Sequence, residues 1–184
     1  MNKQTLGIVI AVVIVVLIAA YFTFRGMHSR NAEHMSSSQM TMETGKHPTV
    51  QAPDFSLPTL DGETVTLSQF KGKPVVLNFF ATWCPACKGE IPGFVNIYNR
   101  YKDKGLVMLG ISLDTNPRDA LPPFIKENGI PYPIVIGNRE VMEKYGGIQS
   151  IPTTFFVDKT GQITNVHIGY LDENALEEAV KELL

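Results

Sequence analysis

The chain has 184 residues, about the length of one domain with too little left over for a second core. With 44% hydrophobic and 18% charged residues, it is neither a mainly disordered chain nor a polytopic membrane protein. Sixteen Lys and Arg against eighteen Asp and Glu leave a net charge of −2, which gives no electrostatic ground for nucleic acid as a partner.

After a short tail (residues 1–4), Thr5 to Phe24 is a run of twenty residues without a charge, between Lys3 and Arg25. As a helix it would be about 30 Å long, enough to cross a bilayer core. It exceeds the apolar region of a cleaved signal peptide, and no small-x-small site follows it, so an uncleaved anchor over residues 5–24 is expected. Lys3 and the amino terminus precede the span while Arg25 and Arg30 follow it, so flanking charge does not set the orientation. Residues 25–50 have no apolar period and read as a flexible linker. It holds Met27, Met35, Met40 and Met42 with His28, His34 and His47. Thioether and imidazole suit Cu(I), but no ligand spacing is fixed, and a solvated spacer is the simpler reading.

Residues 51–184 carry the pattern of a folded domain. Phe55 to Leu57 and Thr64 to Leu67 flank an Asp61-Gly62 turn, which predicts an opening hairpin, with Ser68 placed to cap a short helical turn through Phe70. Pro74 to Phe80 is a short apolar run, the mark of a strand covered on both faces. After it, Phe94, Ile97, Tyr98 and Tyr101 recur at helical spacing, Gly105 stops the helix, and Leu106 to Leu113 reads as a second buried strand. That order is β-α-β, the crossover a parallel pair requires. Farther on, the pattern predicts a helix over Ala120 to Asn128 and a strand at Ile134 to Ile136. A brief helix over Arg139 to Tyr145 follows, then a hairpin of Thr153 to Val157 with Ile163 to Ile168. Leu171, Ala175, Leu176, Ala179, Val180, Leu183 and Leu184 share one face of a closing helix. The expected class is α/β, a mixed sheet with helices on both sides.

The two cysteines, Cys84 and Cys87, stand where the first buried strand hands over to its helix. The first amides of a helix lack internal partners, and together with the macrodipole they favour a thiolate at Cys84, making it the nucleophile. Cys87, one turn later on the same face, is placed to resolve a mixed disulfide. Pro85 suits the first helical position and Pro92 should kink the helix. Zinc would need about four ligands, and no second CxxC or HxxxH completes the set, so no metal is assigned to the pair.

The segments Phe79-Phe80-Ala81-Thr82-Trp83-Cys84-Pro85-Ala86-Cys87-Lys88 and Ile151-Pro152-Thr153-Thr154-Phe155 resemble the two signature segments of the thioredoxin superfamily. Within it the chain is most similar to the membrane-tethered thiol-disulfide oxidoreductases of the TlpA/ResA group. The likeness covers Ala52 to Leu184, including the opening hairpin and a central insertion from Asp114 to Ile136. It implies a thioredoxin fold, no cofactor, a cis-proline at Pro152 facing the cysteines, and Ile151 offering backbone groups to a substrate strand. It also implies that Trp83 shields the disulfide. Cytosolic thioredoxin carries an Asp six residues before its first cysteine, where this chain has Asn78. Glu90 matches the acidic residue of the ResA-like branch and would take the Cys87 proton, although spacing alone reads as a solvated surface carboxylate. Lys88 and His167 receive no role.

The implied activity is reduction of protein disulfides outside the cytoplasm, with a membrane electron donor for recharging. Apocytochrome c or a copper-delivery protein would be the client. A copper chaperone is the alternative. A peroxiredoxin is disfavoured because the Pro and Thr its cysteine needs would fall on Phe80 and Cys84, or on Leu77 and Ala81.

Overall fold

The computed structural model describes residues 50–184; the anchor and nearly all of the linker read from the sequence lie outside the described residues. Among the described residues no helix is long and apolar enough to cross a membrane. The strands are β1 (Val50–Gln51), β2 (Ser56–Pro58), β3 (Thr64–Thr66), β4 (Val75–Phe80), β5 (Val107–Ser112), β6 (Ile134–Ile136), β7 (Thr153–Val157) and β8 (Gln162–Ile168). The helices are α1 (Pro85–Tyr101), α2 (Pro117–Asn128), α3 (Arg139–Lys144) and α4 (Glu173–Leu183), with a 3-10 turn at Leu67–Phe70. Six strands form one sheet in the order β1-β8-β7-β4-β5-β6, while β2 and β3 pair separately as the opening hairpin. β4 runs parallel to β5 and antiparallel to β7, so the sheet is mixed, as expected.

β4 is buried along its whole length, and its alternation sorts the core into two layers. Val76 and Phe80 face α1, α2 and α4, packing with Ile91, Phe94, Leu121, Phe124, Leu176 and Val180. Val75, Leu77 and Phe79 face the hairpin and α3, packing with Phe55, Leu57, Val65, Val141 and Tyr145. On that second side Phe79, Tyr145 and Phe155 form a ring of edge and tilted contacts 5.0–5.6 Å apart. The Tyr145 hydroxyl donates to the Pro53 carbonyl at 2.9 Å, fastening the end of α3 to the chain entering the domain.

Four expectations are corrected. Ser68 does not cap the 3-10 turn: Thr66 holds the cap position with no side-chain bond. The acceptor for the Ser68 N–H is Asp54 Oδ1, at 3.0 Å and fourteen residues upstream. A tertiary partner thus takes the role given to a local one. α2 begins at Pro117, three residues before Ala120, because proline is well suited to a first turn that needs no N–H partner. Leu171 is buried but precedes α4, whose cap is Asp172, accepting from the Asn174 and Ala175 amides. Val50, read as the last residue of the linker, pairs with Ile163 in β1.

Candidate active site

Cys84 is the cap residue of α1 and Pro85 its first helical residue. The backbone at Cys84 is still extended, and its Sγ accepts the Cys87 N–H at 3.2 Å. The sulfur therefore occupies the place where a capping oxygen usually sits, facing the unpaired amides of the first turn. No acidic residue stands in that turn to oppose negative charge on the sulfur. Cys84 and Cys87 are joined as a disulfide, one turn apart. Cys84 keeps 4% of its surface exposed and Cys87 none, so of the two residues only the first reaches solvent.

The second signature segment meets the first here. The Ile151–Pro152 peptide is cis, and the Ile151 carbonyl oxygen lies 3.8 Å from Cys84 Sγ, although sixty-seven residues separate them. β7 begins directly afterwards at Thr153 and places this turn at the end of β4 that leads into α1. Pro85 is exposed, Ile151 half-buried and Pro152 buried. Trp83 is 66% exposed, so much of its surface stands in solvent beside the cysteines. It sits on a turn outside both core layers, which leaves an apolar surface beside the cysteines available to a partner.

Behind the disulfide, Glu90 is buried on the inner face of α1, three residues after Cys87. The surface reading of its spacing is overturned because α1 turns this face onto the sheet. Asn78 Nδ2 donates to Glu90 Oε1 at 2.8 Å and to Thr154 Oγ1 at 3.1 Å. The Leu171 N–H donates to Glu90 Oε2 at 3.2 Å. Asn78 and Thr154 are cross-strand partners in the β4–β7 ladder and share the helix-side face, which is why Thr154, so distant in sequence, can hold the amide that donates to Glu90. Burial raises the Glu90 pKa from 4.5 to about 7, against the opposing effect of the two hydrogen bonds. A carboxyl at that value exchanges protons near neutrality, as a relay for a thiol must.

Residues not singled out from the sequence complete the site. Asp114, just beyond β5, accepts from Thr82 Oγ1 at 2.7 Å, from the Thr82 N–H at 3.1 Å and from Ser112 Oγ at 2.8 Å. It clamps the turn that presents Trp83 and Cys84. The parallel pairing of β4 with β5 held a signal for it, since parallel neighbours bring their carboxyl ends together. Thr154 lies in the second signature segment, but its bond to Asn78 had no signal without the register. His167, given no partner from the sequence, lies 3.1 Å from the Tyr170 carbonyl oxygen, and Lys88 is exposed.

The geometry suits exchange of a dithiol for a disulfide, and comparison with known proteins agrees. The AhpC/TSA family model matches residues 48–166. A thiol-disulfide oxidoreductase ResA of Bacillus cereus is 35% identical over 148 residues, covering 80% of this chain and 82% of the relative. The thioredoxin-like protein YneN of Bacillus subtilis is 34% identical over 137 residues, 74% of this chain and 80% of the relative. A crystal structure of a thioredoxin-family thiol:disulfide interchange protein from Chlorobium tepidum superposes with a TM-score of 0.68 at 32% identity, covering 76% of this chain and 99% of that one. With its thioredoxin-like fold and joined CxxC pair, the chain belongs to the AhpC/TSA family, among the thiol-disulfide oxidoreductases of the ResA type.

Proposed function

We propose that this oxidoreductase works as a reductant of protein disulfides on the outer side of a membrane to which residues 5–24 anchor it. The observation that carries the direction of attack is the placement of Cys84 Sγ at the cap of α1, accepting an N–H, with Cys87 fully buried behind it. In the reduced enzyme the Cys84 thiolate attacks one sulfur of a client disulfide. A mixed disulfide forms and the client's other sulfur leaves as a thiolate. Cys87 then gives its proton to Glu90, and its thiolate attacks Cys84 Sγ. The second client sulfur is released, and the Cys84–Cys87 disulfide remains. Two electrons pass to the client, and a membrane electron donor returns them to the cysteines. Ile151 supplies backbone groups to an extended client segment beside Pro152, and Trp83 and Pro85 supply exposed contact surface.

The clients proposed are extracytoplasmic proteins whose paired cysteines must be reduced before they take up a metal or haem, such as apocytochrome c or a copper-delivery protein. Support comes from the ResA relatives and from the uncharged twenty-residue run that precedes the domain. The test is the Cys87→Ser chain expressed with its anchor, followed by identification of proteins trapped on Cys84. Extracytoplasmic partners released by reductant are expected; a trap holding nothing, or cytosolic proteins alone, overturns the reading.

A further inference from the structure

Among the described residues the exposed large apolar side chains are Val50, Trp83, Val166, Ile168 and Tyr170. Trp83 stands on the turn before Cys84, and the other four belong to β1, to β8 or to the loop that leaves β8. The sheet gathers three of them on one face. Val50 is the cross-strand partner of Ile163, and Val166 is the partner of Phe155, whose ring lies in the core layer on the hairpin side. Ile168, two residues on from Val166, shares that face. Ile163 is half-buried against the layer, whereas Val166 and Ile168, 44% and 68% exposed, run past its cover.

β8 is also an open edge. β1 pairs only with Gln162 and Ile163, so from Thr164 to Ile168 no described strand lies outside β8. The direction of its free backbone groups follows from the ladder. The Gly169 N–H donates to the Pro152 carbonyl at 2.8 Å, which makes these two a hydrogen-bonded pair. In an antiparallel ladder such pairs alternate with pairs that turn their groups outward. His167, opposite Thr154, therefore bonds within the sheet, while Val166 and Ile168 direct their N–H and C=O groups to the edge. An edge of this kind is a template for an added strand, and proteins blunt it with lysine, proline or a bulge. None of these guards this stretch. Gln162 to Leu171 contains no charged residue and no proline, and the irregularity of the ladder lies at Phe156/Val157, toward its other end.

The occupant is given by where the edge leads. Ile168 is opposite Thr153, Gly169 is bonded to Pro152, and the Ile151 carbonyl lies 3.8 Å from Cys84 Sγ. The edge thus opens beside the seat where a client segment meets Ile151. In the order β8-β7-β4, a strand added outside β8 stands three strand spacings from the end of β4 that leads to Cys84. That is roughly 14 Å, the span of about five extended residues. A folded partner would cover the edge alone. A client whose cysteines are still to be reduced offers an extended chain that reaches the edge and Cys84 together.

We propose that the outer edge of β8, at Val166 and Ile168, is a docking surface for the client. An extended, uncharged segment with alternating apolar residues, about five residues from the client's reacting cysteine, adds to the sheet there as a strand. Main-chain bonds to Val166 and Ile168 hold it, and its apolar side chains lie beside their exposed ones. The proposal rests on the reading of the protein as acting on protein disulfides, and it names the class of segment that the client presents.

The full chain carrying Cys87→Ser, in detergent, is joined through Cys84 to a synthetic peptide activated as a thiopyridyl disulfide. The Cys84 thiolate attacks the peptide sulfur and thiopyridine leaves, whichever direction of exchange is natural. One peptide carries Val-Thr-Val-Thr-Val about five residues from its cysteine, and the control carries Gly and Ser there. Hydrogen exchange at the Val166 and Ile168 amides should slow about tenfold with the first peptide and not with the control. Equal exchange overturns the proposal. Amides already protected in the peptide-free chain mean that the chain's own linker or a second copy fills the edge, which overturns it too. The second measurement is the ratio of kcat/KM for disulfide forms of the two peptides, in which changes at the cysteines themselves cancel. Val166→Pro removes an outward N–H and no ladder bond, and Val166→Lys keeps the backbone but puts charge on the edge. Each should lower the wild-type preference for the apolar peptide about tenfold, chiefly through KM. An unchanged ratio, or a wild type without preference, overturns the proposal. A wild type that fails to reduce even a small soluble disulfide counts against the reductant reading instead, and hydrogen exchange still decides the docking.

Discussion

Glu90 combines a structural cost with the proton-accepting role proposed for it. Its pKa rises from 4.5 to about 7, so between those values the native chain holds a proton that the unfolded chain has released. The contribution of this group to stability is therefore greatest below about pH 4.5 and is lost as pH rises through 7, a total of about 3 kcal/mol. Glu90→Gln removes that titration. Urea unfolding at pH 5 and pH 8 should show the wild type losing about 2–3 kcal/mol more than the variant across the interval. Parallel losses would mean the carboxyl is not held as the geometry requires. In exchange assays the same variant should slow release of the mixed disulfide and flatten its pH dependence, because Gln accepts no proton from Cys87. The residue-scale signals in the sequence were mixed. Cys84, Cys87 and Pro85 stand where their spacing put them, whereas Glu90 was legible through family likeness and not through its own period, which allows either a buried or a solvated face.

Between elements, the site depends on how neighbouring strands end. Asp114 at the end of β5 holds Thr82 at the end of β4 through both backbone and side chain, and Ser112 Oγ completes the carboxylate's contacts. Asp114→Ala strands the Thr82 N–H and hydroxyl in a half-buried turn. A loss of about 1–3 kcal/mol in chemical denaturation is expected, together with slower attack by Cys84 on a model disulfide. Unchanged attack kinetics with lowered stability would show that the clamp holds the fold without positioning the cysteine. Gly110 offers a second element-scale test. An added methyl group would lie 3.0 Å from the Phe80 ring and 3.1 Å from Ile134, at the level of the sheet where Asn78 reaches Glu90. Gly110→Ala should destabilise the domain by about 1–3 kcal/mol through overpacking, measured by thermal or urea unfolding. Strands, helix order and the β-α-β crossover were legible because apolar runs and helical periods are local properties. The Asp54 bond to Ser68 was not, because a local window offers Ser68 itself as the cap and cannot show a carboxylate brought from upstream.

For the whole molecule, the proposed division of labour is an anchor over residues 5–24 and a catalytic domain that needs no membrane for its chemistry. Deleting residues 1–25 should move the protein from the membrane to the soluble fraction while leaving reduction of a small soluble disulfide unchanged within about twofold, an effect below ~0.5 kcal/mol on the barrier. Reduction of the client trapped on Cys84 should fall much further, since a tether raises the local concentration of partners held on the same surface. Retention in the membrane fraction would refute the anchor, and equal loss on both substrates would refute the separation of roles.

The sequence by itself determined the class of fold and the identity of the reacting pair, because hydrophobic period and the position of cysteines at a strand-to-helix junction are read within a few dozen residues. What only the tertiary structure decided is the environment of that pair: the Ile151 carbonyl near Cys84, the bonds of Asn78 and Leu171 to Glu90, and the Thr154 hydroxyl that holds Asn78. These groups come from segments far apart in the chain. Sheet register and helix rotation bring them together, and the resulting burial, rather than residue type, sets how readily a proton leaves.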